Sequence, residues 1–218
     1  NDREHACLNG KTLTYAAPDK VSGGLTFGGY STGIVVTEKF VIRIPPGVNL
    51  AGMAPILCAG ITTFSPLQHW KASRGQKVGV IGLGGLGHMA VQYAKAMGMH
   101  VVAADIFDDK LELAKKLGAD VMVNGRAPDA VEQVQKATGG VHGALVTAVS
   151  PKAMEQAYGF LRSKGTMALV GLPPGFISIP VFDTVLKRIT VRGGEVFTAP
   201  AVIIATGAGW RRLGLPDE

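Results

Sequence analysis

Three glycines and one acid carry the first chemical signal in this chain. The stretch VGVIGLGGLGHMA (78–90) sets Gly82, Gly84 and Gly87 in a G-x-G-x-x-G pattern. A β-branched run precedes them and a helix-like run follows, so the glycines occupy a strand-to-helix turn, the setting that gives the pattern meaning. There Gly82 permits the tight turn. Gly84, with Gly85 and Leu86 beside it, leaves the backbone open to a pyrophosphate, and Gly87 lets helix and strand pack closely. Phosphates at such a turn face the helix N-terminus, where N–H groups and the helix dipole favour anions. Asp105 ends the next strand, 23 positions after Gly82, near the spacing of about 20 expected of a ribose-binding acid. Its carboxylate would accept hydrogen bonds from the 2′- and 3′-hydroxyls and repel a 2′-phosphate, which favours NAD over NADP. Two plainer readings stand beside this one. The turn could be merely tight, and Asp105 could cap the following helix, although Asp108 is the better cap.

Elements able to hold these residues follow in order. KVGVIG (77–82), HVVAAD (100–105), DVMVNG (120–125), GALVTAV (143–149), GTMALVG (165–171) and RITVRGG (188–194) read as six strands. The segments GGLGHMAVQYAKAMG (84–98), DDKLELAKKLG (108–118), APDAVEQVQKATGG (127–140) and SPKAMEQAYGFLRS (150–163) read as helices between them. Gly98 and Gly118 act as stops, and Ser150 and Pro151 open the last helix. Strands separated by helices require crossovers and hence a parallel sheet. The fold class expected is α/β, a doubly wound six-stranded Rossmann sheet over 76–194. Residues 1–75 differ: 23–49 is rich in Gly turns, alternating apolar residues and a Pro-Pro stop, which suits antiparallel strands of a smaller lobe. Residues 51–70 read as helical in two pieces joined around Cys58 and Gly60.

Composition narrows the function classes. No apolar run reaches the roughly 18 residues of a membrane span, and the start NDREHACLNG lacks a signal-peptide pattern. Two cysteines cannot staple 218 residues, which points to a reducing cytoplasm. The net charge of +6 is scattered rather than striped, so no nucleic-acid partner and no membrane partner is expected.

PILCAGITTFSPL (55–67), the glycine turn, DIFDDKLELAKKLGAD, GALVTAVSPKAMEQA, GTMALVGLPPG and PVFDTVLKRITVRG together resemble zinc-dependent alcohol dehydrogenases of the medium-chain dehydrogenase/reductase superfamily, over about residues 1–193. The front half is similar to the cinnamyl-alcohol branch and the later part to the propanol-preferring branch. The resemblance implies a GroES-like, mostly β catalytic lobe over 1–75, incomplete here, and hydride transfer between a primary alcohol or aldehyde and NAD(H). It implies a catalytic zinc held by Cys, His and Cys, with Cys58 as the second cysteine. Thr62 then stands beside the nicotinamide, Lys110 contacts the adenosine ribose, and Val149, Gly171, Leu172 and Pro173 line the nicotinamide. The family is homo-oligomeric. Cys58 read without the resemblance is a small buried hydrophobe.

The chain also departs from the family pattern. The first zinc cysteine, the His-Glu pair and the proton-relay hydroxyl have no counterpart in it. Cys7 matches the last of four cysteines for a structural zinc whose partners are missing, so no structural zinc is expected. With Cys58 alone, catalytic zinc should bind poorly and turnover should be impaired, leaving an NAD(H)-binding module as the alternative. Residues 195–218, ending AVIIATGAGWRRLGLPDE, resemble the ATG segment of thioredoxin-reductase-like flavoproteins. They come without a second glycine motif or a CxxC pair, so a flavin reductase is the weakest reading.

Overall fold

The computed structural model describes residues 15–19, 23–33, 35, 38, 41–180, 184 and 190–193. Cys7 and the segment 195–218 lie outside the described residues. Two compact units divide at Asn49/Leu50. The first carries strands β1 (Tyr15–Pro18) and β2 (Leu25–Phe27), paired antiparallel with an irregularity between Tyr15 and Ala17. The Thr26 hydroxyl donates to the Ala17 carbonyl at 3.1 Å across this pair.

The second unit begins with a short helix α1 (Leu50–Met53), a 3-10 turn (Ala54–Leu57) and α2 (Ala59–His69), with the break at Cys58. Then β3 (Lys77–Ile81), α3 (Gly85–Ala96), β4 (His100–Asp105), α4 (Asp108–Lys116), β5 (Val121–Asn124), α5 (Ala130–Thr138), β6 (Val141–Val146), α6 (Pro151–Phe160), β7 (Leu161–Leu169) and β8 (Thr190–Gly193) follow. All neighbours in the six-stranded sheet are parallel, in the order β5-β4-β3-β6-β7-β8. This is the doubly wound order expected for the fold.

Alternation along each strand feeds two cores. Val101 and Ala103 join Leu67, Val91, Ala94, Leu111 and Ala114 on the face covered by α2, α3 and α4. Val102 and Ala104 join Val134, Met154, Ala157 and Phe160 on the face covered by α5 and α6. Both faces of the strands are buried, so they read as continuous apolar runs. Phe160 and Leu67 are fully buried, each contributing about 1.5–3 kcal/mol relative to exposure. Trp70 also packs against β6: a Cβ on Gly143 would fall 2.3 Å from its ring.

Several boundaries differ from the sequence reading. Helix α6 stops at Phe160 rather than Ser163, and β7 starts at once with Leu161. Leu161 pairs with Val141, which also starts β6 two residues early, and Gln135 Nε2 holds the Gly159 and Leu161 carbonyls at 2.7 and 3.3 Å. Sheet pairing therefore overrides the helical pattern of FLRS. Asp108 is not the N-cap of α4; Phe107 is, and Asp108 is the first helical residue. Its carboxylate instead accepts from Asn124 Nδ2 at 2.8 Å. His100 opens β4 as expected, His142 lies in β6, and His142 Nδ1 accepts the Lys77 N–H at 3.1 Å.

Candidate cofactor-binding site

The chain leaves β3 toward β4 and β5 on one side, and leaves β6 toward β7 and β8 on the other. Between the carboxyl ends of β3 and β6 the two halves diverge, which opens the crevice where such sheets take their ligands. The glycine turn fills the floor of that crevice. Gly82 has φ +90°, and a Cβ there would lie 2.6 Å from the Ala148 amide nitrogen. Conformation and space therefore both demand glycine. Its N–H donates to the Ala104 carbonyl at 2.8 Å, and its carbonyl accepts the Thr147 hydroxyl at 2.7 Å. A Cβ on Gly87 would fall 1.9 Å from that same Gly82 carbonyl oxygen, so α3 seats directly on the turn.

Gly84 is different. It is the exposed N-cap of α3, with φ −72° and ψ −158°, and a Cβ on it or on Gly85 would meet nothing within 4 Å. The backbone here is open to an approaching group, and the first-turn N–H groups of a helix lack intrahelical acceptors. Leu86, half-buried, completes the turn.

Asp105 is tied into this turn. Its Oδ2 accepts the Leu83 N–H at 2.6 Å and its Oδ1 accepts the Phe107 N–H at 3.1 Å. The end of β4 thus clamps the glycine turn and starts the next loop. A carboxylate has about four acceptor sites, so capacity remains for hydroxyl donors. Lys110, on α4, holds its ammonium 4.8 Å from the Phe107 ring centroid, and the Arg126 guanidinium lies 5.4 Å from the same centroid. On the other flank, Val149 is exposed just past β6. Gly171 is buried nearby: its N–H donates to the Val146 carbonyl at 2.9 Å, and a Cβ would lie 2.2 Å from the Ala148 carbonyl oxygen. Leu172 follows exposed and Pro173 half-buried.

Cys58 and Thr62 sit at the start of α2, joined by the Thr62 N–H to Cys58 carbonyl bond of 3.0 Å. Cys58 is exposed and in no disulfide, which overturns the reading of it as a buried hydrophobe. Helix α2 packs on α3, with the Phe64 and Tyr93 rings 5.6 Å apart and tilted by 59°. Among the described residues no group of three or more His, Cys, Asp and Glu side chains gathers as a metal ligand set. A tetrahedral zinc site with one open position needs three protein ligands, so the described residues do not furnish one. No single described helix is long and apolar enough to cross a membrane, although the bent pair Leu50–Leu57 and Ala59–His69 passes by length and composition.

Leu83, Thr147, Phe107 and Arg126 escaped the sequence reading. A Thr directly after the apolar β6 run was a usable signal for Thr147. Phe107 and Arg126 meet only through the β4–β5 pairing, which no local pattern reveals.

Comparison with known proteins places this geometry. The model of the zinc-binding dehydrogenase family matches residues 85–202, which is 118 of the 218 residues. An alcohol dehydrogenase of Rhizobium meliloti is 70% identical over 173 residues, covering 79% of this chain and 50% of that protein. Among solved structures, a cinnamyl alcohol dehydrogenase of Sorghum bicolor superposes with a TM-score of 0.79 at 33% identity, over 88% of this chain and 54% of that one. The Helicobacter pylori CAD, complexed with NADP(H), gives a TM-score of 0.67 at 34% identity over 83% and 51%. The chain spans about half the length of these relatives. It belongs to the zinc-binding dehydrogenase family of the medium-chain dehydrogenase/reductase superfamily.

Proposed function

We propose that this chain carries the nicotinamide-dinucleotide-binding half of an alcohol dehydrogenase that moves a hydride between a primary alcohol or aldehyde and NAD(H). The observation that carries the reading is the division of labour within one turn: Gly82 and Gly87 have no room for a side chain, whereas Gly84 opens onto solvent at a helix N-terminus. The residues present fit the cofactor. Gly84, Gly85 and Leu86 would receive the pyrophosphate, and Asp105, with Lys110 beside it, the adenosine ribose. Val149 and Gly171 to Pro173 would border the nicotinamide, with Thr62 on α2 as its further neighbour. Bound there, the nicotinamide ring is the group that accepts or delivers the hydride. The chain's own residues fix its position and exclude water from one face of it.

Family membership supports the alcohol as substrate class, and the Asp105 carboxylate supports NAD, although one similar structure carries NADP(H). Cys58 remains the residue assigned to zinc. Because no companion ligands gather around it among the described residues, alcohol activation is not assigned to them. The second reading, a binding module without chemistry, rests on that observation.

Titration of the purified chain with NADH, followed by an assay of alcohol-dependent NADH formation, separates the two. Saturable binding with chelator-sensitive turnover supports the dehydrogenase. Binding without turnover selects the module, and absence of binding overturns both.

A further inference from the structure

Beside the glycine turn, the loop after β5 does something that neither the motif nor the family assignment requires. The Gly125 N–H donates to the Asp105 backbone carbonyl at 2.9 Å, so this loop is bolted to the very residue that ends β4. The Arg126 N–H donates to Asn124 Oδ1 at 2.9 Å, and the Ala127 N–H to the Asn124 carbonyl at 3.0 Å, which fixes the turn. Asn124 Nδ2 in turn reaches Asp108 Oδ1 at 2.8 Å. Ile106 packs under the same corner, with its Cγ2 3.6 Å from where a Gly125 Cβ would stand. The exposed Arg126 side chain thereby stands at the carboxyl edge of the sheet, in the loop tied to Asp105. There its guanidinium rests over the Phe107 ring, 5.4 Å from the centroid.

Phe107 is 46% exposed, an aromatic held at the surface by two cations rather than by a core. A guanidinium held over an aromatic ring is restrained in place, and its planar group stacks on aromatic faces, a nucleobase included. From this arrangement we infer that Arg126, seated on Phe107, is a specificity-determining residue that recognises the adenine base of the cofactor by stacking. The inference rests on the dinucleotide-binding reading above. It adds to that reading the residue which distinguishes an adenine dinucleotide from a bare nicotinamide nucleotide. Lys110, a point charge on the same ring, is left to the ribose. Charge alone does not explain the placement: Asp105, Asp108 and Asp109 outnumber Lys110 and Arg126 at this corner, so it is no strong anion site.

The test compares dissociation constants of NADH, NADPH and reduced nicotinamide mononucleotide for the parent chain, Arg126→Ala, Arg126→Lys and Phe107→Ala. Base stacking on a side chain is commonly worth a factor of about ten or more. Arg126→Ala is expected to raise the Kd for NADH about tenfold. Arg126→Lys should not restore it, Phe107→Ala should move it in the same direction, and the adenine-free mononucleotide should be unaffected. Arg126 is exposed, so its variants should keep the parent melting temperature. Unchanged NADH affinity in Arg126→Ala overturns the inference while leaving the cofactor site intact. A loss confined to NADPH and rescued by lysine also overturns it, because the residue would then read a phosphate and not a base. Failure of the parent chain to bind NADH removes the reading on which it rests.

Discussion

Alanine at two glycines of one turn should separate folding from binding. In Gly84→Ala the new methyl meets nothing within 4 Å, and φ −72° with ψ −158° is extended backbone open to alanine. Alanine is the poorer N-cap, so the cost is about 0.5–1 kcal/mol, or roughly 1–4 °C in Tm for a chain of this size. Yet the methyl stands where the phosphates must meet the backbone, and the Kd for NADH should rise at least about tenfold. In Gly87→Ala the methyl lies 1.9 Å from the Gly82 carbonyl oxygen, whereas ordinary contact starts at 3.4 Å. The start of α3 must therefore retreat by about 1.5 Å, at a strain cost of about 1–3 kcal/mol. The same carbonyl accepts the Thr147 hydroxyl at 2.7 Å, and disturbing that bond adds about 1 kcal/mol. The sum is about 2–4 kcal/mol, or roughly 4–16 °C in Tm. Thermal melts by far-UV circular dichroism, with NADH titration of both variants, read the two effects. Equal melting losses in the two variants would refute the assignment of Gly87 to packing and Gly84 to the ligand, and so would parent-like NADH binding by Gly84→Ala.

Three further outcomes follow from the same geometry. Burial pushes the Asp120 pKa up, but the hydrogen bonds from Lys95 and the Val101 N–H and the charges of Lys95 and His100 outweigh it, leaving the group below its ordinary 3.8. Its stabilisation is present above pH 3.8 and lost as pH falls through the depressed folded value. Asp120→Asn should therefore melt lower at neutral pH, by about 1–2 kcal/mol, with the gap to the parent closing below pH 3.8. Burial, with Arg162 and Lys77 adding charge, lowers the His142 pKa below 6.5. Its contribution is full above pH 6.5 and falls away as pH drops through the folded value, so His142→Gln, which cannot protonate, should flatten the stability profile on that acid side. Gly143→Ala would bring a methyl to 2.3 Å from the Trp70 ring; it should shift the Trp70 emission and cost about 1–3 kcal/mol.

The sheet was legible because its strands are buried on both faces. HVVAAD reads as a strand for the same reason that Val102 and Ala104 pack toward α6 while Val101 and Ala103 pack toward α3. The glycine turn was legible because its spacing and its strand-to-helix setting are local, whereas the crowding by Ala148 that forbids a side chain on Gly82 appears only in the fold. What sequence reasoning missed depends on contacts made across the fold. Leu161 joins the sheet because it pairs with Val141, and one of the two N–H groups that Asp105 holds belongs to Leu83, in the turn beyond the neighbouring strand. The Arg126–Phe107 contact likewise needs β4 and β5 side by side. Cys58 had a motif but no local measure of burial, and the structure places it at an exposed break between helices.

Hydrogen–deuterium exchange, read by mass spectrometry with and without NAD, tests the central claim most directly, because it locates the cofactor as well as detecting it. The account predicts slowed exchange in peptides covering Leu83–His88, Asp105–Lys110 and Gly171–Pro173, with the far ends of the strands around Lys77 and His142 unchanged. Protection spread away from the carboxyl ends of β3 and β6, or no protection at saturating NAD, would contradict it.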